Sequence, residues 1–186
     1  MISSLDHLIV AVKDLQEAEL NYKKVFGIEP VWRGQHKELG TANSIFNFNN
    51  TYFELLAAKG KGLGASLVEN AIEENGDGLI GIVFGTKDIN KASKRLTKMG
   101  YSVAEISEGE GTDNNSKVTR NWKNLFLPPE LTRGIFSFII EHTHGHLPTI
   151  EEFPKDTINK LDHVVINTND ADGFINIYKD VFDIRL

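Results

Sequence analysis

The chain contains no cysteine. That absence removes thiol catalysis, thiolate metal ligation and disulfides together, so any metal centre has to use His, Asp or Glu. No run approaches the roughly 18 apolar residues that a membrane span needs. The start, MISSLDHLIVAV, has neither the basic segment nor the long apolar stretch of a secretory signal. A cytoplasmic location is the expectation. Positive charge is also in deficit: 20 Lys and Arg stand against 26 Asp and Glu, a net charge of -6 with the signs interspersed. Nucleic acid and anionic membranes both need a concentrated basic surface, so neither is expected as a partner. KGKGLG lacks phosphate-loop and dinucleotide spacing, and there is no G-x-S-x-G elbow.

What the sequence does have is a repeat. LDHLIVAVKDLQEAELNYKKVFGI, from Leu5 to Ile28, returns from Leu161 to Ile184 as LDHVVINTNDADGFINIYKDVFDI. Each copy reads as a short apolar strand with one histidine near its start, followed by an amphipathic helix. Such a unit is too small to bury its own apolar face, so it belongs to an assembly of modules. At 186 residues and 40% hydrophobic content, the chain has room for one large domain or two small ones.

In the first module, residues 1–58, Leu5 to Val12 reads as a strand. Asp14 with Glu17 forms a capping box, and Leu15, Ala18, Tyr22, Val25 and Phe26 form a helical stripe ended by Gly27. Strands follow near Val31 to Lys37, Thr41 to Phe48 and Tyr52 to Ala57, giving βαβββ. Residues 59–78 are a linker with a short helix, for which Ser66 and Glu69 suggest a second capping box. Residues 79–143 repeat the pattern, with Asp88 as cap, strands near Tyr101 to Ile106, Lys117 to Leu127 and Ile135 to Thr143, and SEGEGTDNNS as a mobile polar loop. A connector, 144–160, leads to an incomplete third module, 161–186. The expected fold is therefore α+β, with paired βαβββ modules. The unfinished repeat suggests a fragment of a longer protein, or a remnant packed on the other modules or on a second copy in a homodimer.

Strand alternation lets His7 and Glu54 face one cleft, and Glu141 in FSFIIEHT stands where Glu54 stands in TYFELLA. Paired about a pseudo-twofold axis, these positions converge, with Gly81 at the fourth. A divalent ion, Zn, Ni, Mn or Fe, would then keep His7, Glu54 and Glu141 and leave open positions for substrate. The same residues have ordinary readings: His7 as a hydrogen-bonded core residue, Glu54 as a solvent-facing carboxylate. A register slip of one residue would put His142 inward in place of Glu141.

LDHLIVAV with its helix, HKELGTANSIFNF followed by YFELLA, and RNWKNLFLP with IFSFIIEH resemble the vicinal-oxygen-chelate superfamily and its glyoxalase-like group over nearly the whole chain. The resemblance implies a curved sheet around a cleft, and a metal held by His7, Glu54 and Glu141. Gly81 departs from that pattern. The implied activity is a metal-dependent lyase or isomerase acting on a small substrate with vicinal oxygens. One histidine and two carboxylates favour that over oxygenase chemistry, with Glu54 and Glu141 as the catalytic carboxylates. The alternative is a metal-free protein that binds or sequesters a small molecule in the same cleft. Candidate ligand contacts are His36, Asn43, Arg120, Trp122 and Trp32. Arg33 could also grip an anion, and the His142, His144 and His146 run reads as a connector.

Overall fold

The computed structural model describes residues 1–184; residues 185–186 of the third repeat lie outside the described residues. The first module runs β1 (Ser4–Ala11), α1 (Leu15–Phe26), β2 (Trp32–His36), β3 (Thr41–Asn47) and β4 (Tyr52–Ala58). α2 (Leu63–Asn75) leads to the second module: β5 (Gly78–Gly85), α3 (Ile89–Lys98), β6 (Ser107–Thr112), β7 (Thr119–Phe126), the short α4 (Pro129–Thr132) and β8 (Phe136–His144). All eight strands form one sheet in the order β2-β3-β4-β1-β5-β8-β7-β6. Within each module the first and last strands pair in parallel, and the modules join where β1 runs antiparallel to β5.

The paired βαβββ architecture is as expected, and local chemistry sets its limits. Asp14 accepts from the backbone N–H groups of Gln16 and Glu17 at the start of α1, and Gly27 ends it with φ 73°. Asp88 caps α3 through the Lys91 N–H. At α2 the expected capping box is not used: the helix starts a turn earlier, capped by Gly62, so Ser66 and Glu69 lie inside it.

The sheet sorts its side chains by period two. Leu8, Ile82, Phe84, Leu125 and Ile139 pack under α3, while Val10, Phe46, Phe48 and Leu55 pack under α1. The opposite, concave face carries Ile9, Leu56, Val83, Phe138 and Ile140, with Val68 of α2 against it. The outer edges curl toward each other. Arg33 N–H donates to Asp113 Oδ1 at 2.8 Å, and Asn114 N–H donates to the Arg33 carbonyl at 2.7 Å. The Arg33 guanidinium is forked onto Glu19 of α1, at 2.8 and 2.6 Å. It therefore ties helix to sheet and is not free to grip an anion.

Two expectations for the second half are corrected. SEGEGT forms β6, and no strand forms at Tyr101 to Ile106. Glycine makes the edge strand possible: a Cβ at Gly109 would overlap the Trp122 indole, and one at Gly111 would lie 3.0 Å from its Cη2. The bare backbone thus lets the ring lie flat against the strand. The strand expected to open the third module does not form either, since residues 161–168 pair with no strand. Its helix does form, as α5 (Ala171–Asn176) with a π-helical turn at Ile177–Val181. That helix packs on the second module, with Phe182 fully buried and its ring 5.2 Å from that of Phe84. His163, the counterpart of His7, stays exposed beside Asp162.

Phe182→Ala is expected to cost about 3 kcal/mol in urea unfolding, because the cavity would open against a closed core. His163→Ala should change stability by less than about 0.5 kcal/mol.

Candidate functional site

The concave face encloses a cavity of about 390 Å³. Each strand except β5 and β6 sends alternate residues into it: His7 and Ile9 from β1, Trp32 and His36 from β2, Asn43 from β3, Tyr52 and Glu54 from β4, Arg120 and Trp122 from β7, Phe138 and His142 from β8. Leu63, Gly64 and Leu67 of α2, with Leu39, close one side. The sequence candidates His7, His36, Asn43, Glu54, Arg120, Trp122 and Trp32 therefore meet in one hollow. Glu141 does not. It sits one residue out of phase, and its Oε2 accepts the Ile89 N–H at 2.8 Å on the helix side of the sheet. A carboxylate there complements the N-terminal end of α3.

The ladder register explains the difference. β1 pairs with β4 so that His7 lies opposite Tyr52 and Ile9 opposite Glu54, and β5 pairs with β8 so that Gly81 lies opposite Phe136 and Val83 opposite Phe138. The counterparts of His7 and Glu54 in the second module are therefore Gly81 and Phe138. Matching Glu54 to Glu141 is off by three residues, an odd number, which moves a side chain to the other face. Of the three donors implied by the resemblance Glu141 is lost, and only two of the four pseudo-twofold positions carry a donor. His7 Nε2 and Glu54 Oε2 face each other at 3.4 Å, and a phenyl ring and a glycine occupy the other two positions. Among the described residues no three His, Asp or Glu side chains are grouped as metal ligands. Two donors do not match the three protein ligands of a catalytic divalent site, so the residues do not fit the metal centre expected from His7, Glu54 and Glu141.

A chain of hydrogen bonds crosses the floor instead. Asp6 stands beside His7 in sequence, yet a register shift in the β1–β5 ladder between Leu5 and His7 turns its carboxylate toward the same histidine. His7 Nδ1 lies 2.8 Å from Asp6 Oδ1, and His142 Nε2 lies 3.1 Å from Oδ2. Arg120 Nη2 donates to His142 Nδ1 at 3.3 Å. In that contact Nδ1 accepts, while Nε2 faces the Asp6 carboxylate. On the other side of His7, Glu54 Oε1 accepts from Asn43 Nδ2 at 2.7 Å, and Asn43 Oδ1 accepts the Gly34 N–H at 3.0 Å. Asn43 is thus committed to holding Glu54.

These contacts set charge states. Burial pushes the Asp6 carboxyl up, but the hydrogen bonds from His142 and His7 outweigh it and hold Asp6 well below the usual carboxylate range. Burial lowers the pKa of His36, whose ring meets that of Trp122 edge-on at 6.0 Å. Burial also raises the Tyr52 phenol well above its usual value, while the ring stacks on His7 at 4.3 Å. Asp6 and Tyr52 were not singled out from the sequence. Strict alternation points Asp6 away from His7, and nothing in LDH marks the irregularity. Tyr52, by contrast, shares the face of Glu54.

A carboxylate held down in the folded state stabilises fully above its unfolded pKa of about 3.9 and loses that contribution as pH falls toward the folded value. Urea unfolding should therefore show stability dropping below about pH 4. Asp6→Asn is expected to flatten that drop and to lower stability at pH 7; an unchanged acid limb would contradict the assignment.

Comparison with known proteins agrees with this architecture. A model of the glyoxalase-like domain matches residues 5–182. An ethylmalonyl-CoA/methylmalonyl-CoA epimerase of Cereibacter sphaeroides is 31% identical over 132 residues, 70% of this chain and 91% of the relative. Among solved structures, a Streptomyces coelicolor methylmalonyl-CoA epimerase variant in complex with 2-nitronate-propionyl-CoA superposes with a TM-score of 0.59 at 20% identity, over 76% of this chain and 95% of its own. A methylmalonyl-CoA epimerase from Mycobacterium tuberculosis gives 0.61 at 17% identity, over 77% and 90%. With a family model spanning nearly its whole length and a fold shared with these epimerases, the chain belongs to the glyoxalase-like domain family.

Proposed function

We propose that the cleft is the site of an isomerase-type enzyme that moves a proton on a small carbonyl compound without a protein-held metal. The observation that carries this reading is the Glu54 carboxylate, 7% exposed, facing His7 Nε2 at 3.4 Å in a mostly apolar cavity. Glu54 is placed to take a proton from a carbon made acidic by the neighbouring carbonyl. His7, oriented through Nδ1 by an ionised Asp6, is placed to exchange that proton with Glu54. Return of the proton to the other face of the carbon, or to a neighbouring carbon, completes an isomerisation. The apolar wall of Ile9, Leu56 and Phe138 strengthens the charge interactions around the enolate.

The likeness to the Cereibacter sphaeroides epimerase supports the reaction class and makes methylmalonyl-CoA the first probe. The presence of Gly81 and Phe138 at two of the four pseudo-twofold positions favours a second reading, in which the cleft binds a small molecule and performs no chemistry.

In deuterated water, the wild type is expected to incorporate deuterium at the carbon between the two carbonyl groups of methylmalonyl-CoA or of a shorter acyl thioester. Glu54→Gln should reduce that rate about 100-fold or more. Binding without incorporation for any thioester or ketone tried would favour the sequestration reading.

Chelator treatment is expected to leave both the exchange rate and Tm unchanged. Activity lost to chelator and restored by Zn, Ni, Mn or Fe would overturn the metal-free form of the proposal.

A further inference from the structure

Arg120 is a cation in an unusual place. The residue is 5% exposed and lines the cavity, and its Nε–H is buried without a hydrogen-bond partner. Among the described residues no carboxylate lies within ion-pair distance of it. His142 stands between it and Asp6. Three aromatic rings surround the guanidinium, with centroids at 5.4 Å (Trp32), 5.7 Å (Tyr52) and 5.9 Å (Trp122). Such faces offset part of the desolvation of a cation, and the Tyr52 hydroxyl takes one of its donors, but neither indole accepts an N–H and Nε–H keeps no partner. A buried guanidinium with an unused donor is destabilising until an anion reaches it.

We propose that Arg120 is the anchor for a carboxylate of the ligand, and that the ligand class is a small organic acid with an apolar tail. A carboxylate entering the cavity meets the guanidinium where it lines the wall and takes its free N–H groups in the plane that guanidinium favours. His142 takes one Nη2 donor, and the guanidinium borders the cavity. The tail finds Leu56, Phe136, Phe138 and Ile140. This rests on the reading of the cleft as the ligand site and adds to it a position for the substrate. Tyr52 faces Arg120 on one side and stacks on His7 on the other, so one ring separates the anchor from the acid–base pair. In the second module, where the implied metal ligands are missing, the cation offered to the substrate is an arginine.

The sequence contains two tryptophans, and both flank this guanidinium. Intrinsic fluorescence is therefore a direct reporter of the site. The test titrates the full chain with short linear and phenyl-substituted monocarboxylates, each compared with its primary amide. Carboxylates are expected to change the fluorescence saturably and to raise Tm, and the matched amides should bind at least about tenfold more weakly. Arg120→Lys, which keeps charge but loses the fork, should weaken carboxylate binding about tenfold, and Arg120→Gln should abolish the preference over amides. Equal binding of acids and amides, or no carboxylate binding in the millimolar range, overturns the proposal. Should either variant fail to fold, the acid-against-amide comparison on the unaltered chain still decides. Carboxylate-selective binding, with no deuterium exchange on the thioesters and ketones tried, leaves the anchor standing and removes the isomerase reading; exchange on substrates bound equally as acid or amide does the reverse.

Discussion

Side-chain alternation along one continuous curved sheet is the constraint on which everything else here rests. Because β1 and β5 join the two modules edge to edge, a single inside and a single outside run across all eight strands. Phase along a strand then decides whether a residue belongs to the helix-covered core or to the cavity. Glu54 and Glu141 show how sharp that sorting is. Both are carboxylates on the last strand of a module, yet one borders the cavity and the other bonds a helix end on the far side. Residue type proposes a role, and parity assigns it.

Much of the architecture was legible because it is carried by local and periodic signals. The Asp14 and Asp88 caps, the Gly27 stop, and the alternation in FELLA and FSFIIEH each act over a few residues, and together they specify two βαβββ units. Signals that depend on a distant partner were not legible. SEGEGT reads as a loop because glycine is poor in strands; only the Trp122 indole lying against it explains why glycine is needed there. The irregularity that turns Asp6 toward His7 arises from pairing with β5, some 75 residues away, and leaves no mark of its own in the first strand. In the third repeat the helix signal was correct. Its strand pairs with none of the eight, and a strand without a partner does not form.

The candidate site divides along the same line as the modules. The first contributes the hydrogen-bonded polar groups Asp6, His7, Glu54 and Asn43, while the second contributes Phe136, Phe138 and Ile140 with a cation, Arg120. A duplicated scaffold has been used asymmetrically: one half keeps polar chemistry at the pseudo-twofold positions, and the other has replaced it with apolar wall. That asymmetry also explains why Arg120, His142 and Asp6 form a run of contacts across the seam. The cation of one half is oriented by the anion of the other. Local rules are broken most at this seam, by a buried charge, an orphan donor and a ladder shift, as expected where function and folding make different demands.

The two glycines of β6 have a consequence for how this cleft could diversify. Their backbone is the hard stop against which the Trp122 ring rests, and that ring in turn forms one wall around Arg120. A methyl group added at either glycine would displace the indole inward. The hollow would narrow and the guanidinium would tilt, although neither glycine borders the cavity itself. The width of this hollow is thus adjustable from the rim of the sheet, like a fence moved by its outermost post, with His7 and Glu54 left where they stand.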